Sequence, residues 1–265
     1  MKERGKIRMI AIECIMHHRR CDSGGKWVLN RAVLLAAGSG NRTGQDIPKQ
    51  FLHIEDKPVI VYTMETFEHH PEIDEIYVVC LEGWHDVVRA YAKQFNITKM
   101  KDVIPGGHTS QESIRNAVDA LKGIAAEDDI ILLHDAVRPM VEPETISDCI
   151  RVCAAHGSAL AAVPFTEQLC VVMEGDKTLD SIDRDTVKCV QTPQVYAYHK
   201  LVWAYEKVFR EGICLDKSSV NPVMSALGEE QYFAKGSQRN IKITTAQDFQ
   251  LFKALLSCGQ ASWMK

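Results

Sequence analysis

Two glycines, three cations and one carboxylate carry most of the chemistry that can be read from this 265-residue sequence. Gly38 and Gly40 follow the apolar run Ala32 to Ala36. Without side chains they let backbone N–H groups approach a ligand closely and form an anion nest. Arg42 and Lys49 place two fixed positive charges in the same stretch, a combination that suits a triphosphate. Far downstream, Asp135 stands in His134-Asp-Ala-Val-Arg138-Pro139, and Lys242 in Asn240-Ile-Lys-Ile-Thr-Thr245. A carboxylate beside a phosphate site can hold Mg²⁺ directly or through water, because this cation takes oxygen ligands and keeps several waters while bridging phosphates.

Other readings compete at each position. Gly38-x-Gly40-x-x-x-Gly44 is one residue away from the dinucleotide fingerprint. Against it, Arg42, Asp46, Pro48 and Lys49 stand where that fingerprint opens an apolar-faced helix, and no acidic residue ends a clear second strand about 20 residues on. Asp135 can instead cap the helix expected from Glu142, and His134 reads as a structural histidine beside a core strand. Cys14, His17, His18 and Cys21 are good zinc-ligand types, but the adjacent histidines would point apart and no turn residues bracket the group.

The elements that must position these residues alternate between strand and helix. Ala32 to Ala36 has no helical period and ends in small residues, as a buried parallel strand should. A helix over Lys57 to Phe67, a strand over Ile73 to Leu81 and a helix over Trp84 to Phe95 follow. Val103 to Gly107 is a second strand-to-loop junction, and Thr109-Ser-Gln-Glu112 fits the start of a helix reaching Lys122. Asp129 to Leu133 and Ser158 to Pro164 read as buried strands, so Asp135 falls at the carboxyl edge where open α/β sheets bind ligands. Beyond Pro164 the period breaks, and Glu174-Gly-Asp-Lys177 is a hairpin turn in an extended β-arm over about 165–190. Val190 to Gln194 returns to the sheet, helices are expected at Tyr198 to Glu211 and Ser218 to Leu227, and Asn240 to Thr245 reads as a strand before a terminal helix from Ala246. The fold class is α/β: a Rossmann-like, mostly parallel sheet with helices on both faces and a projecting arm.

Leu35-Ala-Ala-Gly-Ser-Gly-Asn-Arg42 followed by Pro48-Lys-Gln-Phe51 resembles the signature of nucleotidyltransferases that activate a phosphorylated sugar or polyol. With Gly106-Gly107, His134 to Pro139, Asp183-Arg184, Gln191-Thr-Pro-Gln194 and Asn240 to Thr244 in the same order, the chain is most similar to the cytidylyltransferases for 2-C-methyl-D-erythritol 4-phosphate and ribitol 5-phosphate. The similarity spans about residues 30–257. It implies a GT-A-like fold and Mg²⁺-dependent transfer of CMP from CTP to a polyol phosphate, releasing pyrophosphate. Ala36, Ala37, Gly38, Ser39, Gly40, Gly106, Gly107, Ser113, Asp135 and Ala136 would bind the nucleotide, with Asp135 on the metal. Arg42 and Lys49 would stabilise the triphosphate and leaving pyrophosphate, and Lys242 the α-phosphate. Arg138, Thr192 and Asp216 would serve the acceptor, with Thr192 on its phosphate, and the arm would clasp a second subunit and deliver Arg184 to it.

The chain departs from that pattern in places. His108 and Ser110 replace an acidic residue and an arginine, and Glu167-Gln168 replaces an Asp-Thr pair near the acceptor. A longer amide at Gln168 suits a polyol hydroxyl, so ribitol 5-phosphate or a similar pentitol phosphate is expected to be used at least as well as 2-C-methyl-D-erythritol 4-phosphate. A nucleotidyltransferase for another sugar phosphate and a non-catalytic nucleotide-binding module are the rival readings.

Composition sets outer bounds. The length allows one large domain over 31–257, with a tail at 258–265. A net charge of −4 gives no footprint for nucleic acid, and no apolar run approaches the length needed to cross a bilayer. The nine cysteines show no paired framework, which fits reduced thiols in a cytoplasm. Residues 1–30 read as a disordered leader or as the product of a start assigned too far upstream, with initiation expected near Val28.

Overall fold

A computed structural model describes residues 21, 25–38, 47–213 and 219–259. The strands are β1 (Asn30–Ala36), β2 (His53–Ile54), β3 (Lys57–Pro58), β4 (Glu75–Cys80), β5 (Met100–Pro105), β6 (Ile130–Asp135), β7 (Ser158–Pro164), β8 (Leu169–Cys170), β9 (Ser181–Ile182), β10 (Lys188–Ala197) and β11 (Phe233–Lys235). The helices are α1 (Val59–His69), α2 (His85–Gln94), α3 (Ser110–Ala120), α4 (Pro143–His156), α5 (Tyr198–Glu211), α6 (Asn221–Ala226) and α7 (Ala246–Gly259).

Seven strands form one sheet in the order β11-β7-β10-β6-β1-β4-β5. All run in one direction except β10, which is antiparallel to both its neighbours. Side chains alternate across β1, so Ala32, Leu34 and Ala36 pack with Met64 and Phe67 of α1 and with Ile146 and Cys149 of α4. Val33 faces the other way, against Ile114 and Ala117 of α3 and Leu201 and Ala204 of α5. Helices therefore cover both faces of the sheet, as the near-continuous apolar strands require.

Several boundaries differ from expectation. The first helix starts at Val59, because Lys57 and Pro58 pair with β2 and Pro58 has no N–H to continue a helix backwards. The domain reaches slightly before residue 31: Val28 is buried in the core, and Asp129 Oδ1 accepts the Leu29 N–H at 2.7 Å. The strand expected over Asn240 to Thr245 does not form. Ile243 there is fully buried beside Val59, Val137 and Phe252, and its N–H goes to the Val137 carbonyl at 2.9 Å, so the alternating isoleucines fill a side cluster instead of pairing with the sheet. Strand β11 was not anticipated, and α6 is shorter than expected among the described residues. Thr109 caps α3 as its sequence suggests, accepting the Glu112 N–H.

The arm leaves the sheet after Pro164 and returns at Lys188. Met173 and Lys177 bridge across a turn at Gly175 and Asp176, both with positive φ. Val172 and Leu179 on it are 74% and 90% exposed. Cys80 and Cys149 are buried in the core. No helix among the described residues is long and apolar enough to cross a membrane.

Candidate active site

The carboxyl ends of β1 and β6 open onto two adjoining cavities. The larger, about 530 Å³, is lined by Gly38, Lys49, Gly107, Ser113, Asp135 and Lys242 among others. The smaller, about 140 Å³, shares Leu35, Asp135 and Lys242 with it and continues past Arg138, Thr192 and Asn221. Asp135 and Lys242 thus stand where the two spaces meet.

Gln50, which the sequence reading passed over, braces the glycine loop. Its side-chain amide donates to the carbonyls of Ala36 at 2.7 Å and Gly38 at 3.1 Å, while Phe51 next to it stacks on Trp84 at 4.1 Å. The neighbouring Lys49 is thereby held at the cavity wall. Ser39, Gly40 and Arg42 lie outside the described residues, as does Asp216.

Gly106 and Gly107 are glycines for reasons of space. A Cβ on Gly106 would fall 2.5 Å from Ala37 Cβ, and one on Gly107 2.2 Å from Glu112 Cβ. Gly107 lines the larger cavity, whereas Gly106 serves close packing behind it. The Gly107 N–H donates to Ser113 Oγ at 3.0 Å, and that hydroxyl donates to the Thr109 carbonyl at 2.9 Å. With its proton spent, Ser113 has a lone pair left to offer. His108 and Ser110 also line this cavity.

At the junction, Asp135 Oδ1 takes Lys242 Nζ at 2.9 Å and Oδ2 takes Arg138 Nε at 2.9 Å. Burial alone would raise this carboxyl, but the two cations override it and hold it at about 2. Arg138 also donates to the Asn240 carbonyl at 2.7 Å, and Asn240 Nδ2 to the Thr192 carbonyl at 2.8 Å. That chain of contacts fixes the segment carrying Lys242 across the sheet edge.

His134 is fully buried, and burial pushes its pKa down to about 4. Its Nε2 lies 3.1 Å from the Arg138 carbonyl, which can only accept, so Nε2 carries the proton and Nδ1 is the acceptor. Thr192 Oγ1, 3.1 Å from Nδ1, therefore donates to His134 while accepting the Asp135 N–H at 3.1 Å. This revises the expected role of Thr192. A hydroxyl whose proton is committed to a buried imidazole has a lone pair for the cavity but no proton for a phosphate oxygen.

Three other expected residues stand apart from the cavities. Ala136 is fully buried, with its N–H on the Leu35 carbonyl and its carbonyl on Thr63 Oγ1. Arg184 is exposed on the arm, 3.4 Å from the Thr166 carbonyl, and Gln168 is exposed near the arm's base. Neither lines either cavity of its own chain.

Asp135 is the acidic side chain lining these two cavities, and no cluster of three or more His, Cys, Asp or Glu able to hold a metal occurs among the described residues. Each Asp135 oxygen keeps a second lone pair beyond its ion pair. One carboxylate plus phosphate oxygens and water is a donor set that suits Mg²⁺, so the residues fit the ion as a companion of a bound triphosphate.

Residues 31–258 match the family model described as IspD, 2-C-methyl-D-erythritol 4-phosphate cytidylyltransferase. A ribitol-5-phosphate cytidylyltransferase of Lacticaseibacillus paracasei is 44% identical, covering 85% of this chain and 97% of its own length. A 2-C-methyl-D-erythritol 4-phosphate cytidylyltransferase of Clostridium botulinum is 34% identical, covering 86% and 97%. Among solved structures, a crystal structure of 4-diphosphocytidyl-2C-methyl-D-erythritol synthase superposes with a TM-score of 0.71 at 27% identity, covering 86% of this chain and 99% of that one.

Proposed function

The chain belongs to the 2-C-methyl-D-erythritol 4-phosphate cytidylyltransferase family, and from that premise we propose that it transfers CMP from CTP to the phosphate of a small polyol phosphate, ribitol 5-phosphate in preference to 2-C-methyl-D-erythritol 4-phosphate. The observation that carries this reading is the Asp135–Lys242 pair at the meeting of two cavities, one lined by Gly38 and Gly107 and the other by polar side chains. CTP occupies the larger cavity and the acceptor the smaller, so that the α-phosphate and the attacking phosphate meet beside Lys242.

In such a transfer both reactants are anions, and the protein acts by positioning them and neutralising charge; no nucleophilic side chain is required. Lys49 and Arg42 balance the triphosphate and the departing pyrophosphate. Lys242 stabilises the charge that grows on the α-phosphate, and Asp135 keeps its ammonium in place. Asp135 is the residue that would hold Mg²⁺, which would supply further charge neutralisation when bound. The lone pair left on Ser113 suits the exocyclic amine of cytosine better than the carbonyl that uracil carries there.

Arg184 reaches an acceptor site in a second subunit, because the exposed apolar side chains of the arm need a partner surface and a twofold dimer gives each arm one. The enzyme works in the cytoplasm, where CTP and reduced thiols are found, with neither nucleic acid nor membrane as partner. Pyrophosphate release that requires both CTP and ribitol 5-phosphate tests the reading. No release with any polyol phosphate would leave a nucleotide-binding module.

A further inference from the structure

One wall of the smaller cavity is held from a helix that serves the larger one. Thr109, Ser110 and Ser113, at the start of α3, line the larger cavity, whereas Gln194, Ser219 and Asn221 line the smaller. Gln111 is buried and lines neither. Its Nε2 donates to the Ser219 carbonyl at 2.8 Å, and its Oε1 accepts the buried hydroxyl of Tyr205 on α5 at 2.8 Å. With its oxygen claimed by that hydroxyl, the amide has its NH₂ toward Ser219 and not the reverse.

The start of α3 holds its shape without the Gln111 side chain. Thr109 Oγ1 accepts the Glu112 N–H at 3.1 Å, Glu112 Oε2 accepts the His108 N–H at 2.7 Å, and Ser113 Oγ links Gly107 to Thr109. This reciprocal cap satisfies the orphan donors of the first turn locally. The wall at residues 219–221 is built otherwise. Gln194 Oε1 accepts the Val220 and Asn221 N–H groups, each at 3.1 Å. Gln194 Nε2 and Ser219 Oγ both donate to Asn221 Oδ1, at 3.0 and 2.8 Å. Those bonds tie the wall to itself and to β10, and Gln111 ties it to α3. The braced helix start is thus the fixed post, and Ser219 is the part that leans on it.

Resting on the polyol-phosphate reading above, we propose that Gln111 is a positioning residue for the acceptor: from the helix that serves the nucleotide it sets where Ser219 and Asn221 stand, touching neither substrate. A misplacement of ~1 Å in the groups that position a substrate costs up to ~10²-fold, so a single missing tie is enough to be read in kinetics.

The test is KM for CTP and for ribitol 5-phosphate, with kcat, in wild type, Gln111→Met, Tyr205→Phe and Tyr198→Phe. Gln111→Met keeps the length of the side chain and removes both bonds. Tyr205→Phe leaves Gln111 in place but removes the hydroxyl that orients its amide. Tyr198→Phe is the control, because the Tyr198 hydroxyl donates to the Val118 carbonyl at 2.9 Å, a buried bond between the same two helices that does not involve Ser219. Gln111→Met should raise KM for ribitol 5-phosphate by ~5-fold or more, the size of one lost hydrogen bond, with kcat and KM for CTP within ~2-fold of wild type. Tyr205→Phe should shift the same constant in the same direction by less, and Tyr198→Phe should leave it unchanged. An acceptor KM unchanged in both Gln111→Met and Tyr205→Phe, a matching rise in KM for CTP, or an equal rise in Tyr198→Phe would overturn the proposal. Wild type inert with every polyol phosphate would instead sink the functional reading, and amide hydrogen exchange without substrates then reads the tie itself. Exchange over residues 219–221 should quicken by ~5-fold or more in Gln111→Met and not in Tyr198→Phe; equal exchange in all the proteins would refute the tie.

Discussion

Replacing Thr192 by valine removes one hydroxyl at nearly constant volume, and the network around it fixes what should follow. That hydroxyl accepts the Asp135 N–H and donates to His134 Nδ1, each at 3.1 Å, in a region where His134 is fully buried and Thr192 is 8% exposed. Valine leaves an imidazole nitrogen and a backbone N–H without partners, and a buried polar group left unpaired costs ~1–3 kcal/mol. Asp135 sits at the cavity edge where water can reach, so its N–H belongs at the low end. The expected loss is about 3 kcal/mol. With an m-value of ~1–3 kcal/mol/M, the urea midpoint at pH 7.5 should fall by ~1 M or more. Thr192→Ser keeps the hydroxyl and should lose ~1 kcal/mol or less, in line with one deleted methyl. Direct use of the Thr192 proton on the acceptor's phosphate leads to a different pattern. Stability unchanged within ~0.5 kcal/mol, together with a ~10-fold rise in KM for the acceptor, would refute the assignment of that proton to His134.

Three further outcomes follow from the same contacts. Lys49→Ala and Lys242→Ala should each lower kcat by ~10² or more, as for loss of one preorganised donor, and steady-state turnover unchanged in both would remove the mechanism. An Arg184→Ala subunit mixed with a Lys49→Ala subunit should recover activity in the hybrid dimer, and a hybrid as inactive as its parents would mean that each site is built from one chain. Burial holds His70 and His134 below the ordinary histidine range, His134 at about 4, so both enter the fold neutral while the unfolded chain takes up their protons. Their contribution is complete above about pH 6.5 and is lost as pH falls toward the folded values, at up to ~1.4 kcal/mol per pH unit for each. Urea unfolding between pH 7.5 and 5 should show stability falling with pH, and a flat profile would contradict the burial of both rings.

Much of this architecture was legible because it obeys short-range rules. The apolar run into small residues at Ala36, the Thr109 cap and the turn at Glu174 to Lys177 each carry their cause within a few residues. Helix α5 was expected with the same bounds that it has, Tyr198–Glu211. The misses share a different cause. Ile241 and Ile243 alternate like a strand, yet Asn240 is tied to Thr192 and Arg138, some 48 and 102 positions away, and those contacts hold the segment off the sheet. Residue type marked Asp135, Lys49 and Lys242 as candidates, but not the pairing of Asp135 with both Lys242 and Arg138. Gln50 stands in the Pro48 to Phe51 stretch but carries no charge, and only the two carbonyls that claim its amide show what it does. Arg184 lies exposed on the arm, 3.4 Å from the Thr166 carbonyl and outside both cavities of its chain.

The central claim is that the two cavities on either side of Asp135 and Lys242 bring CTP to a polyol phosphate, with ribitol 5-phosphate proposed as the preferred acceptor. Pyrophosphate release with CTP, measured side by side for ribitol 5-phosphate and 2-C-methyl-D-erythritol 4-phosphate, tests it most directly. The account predicts CTP-dependent release with a larger kcat/KM for ribitol 5-phosphate. A preference of ~10²-fold for 2-C-methyl-D-erythritol 4-phosphate, equivalent to about 2.7 kcal/mol in the opposite direction, would contradict it.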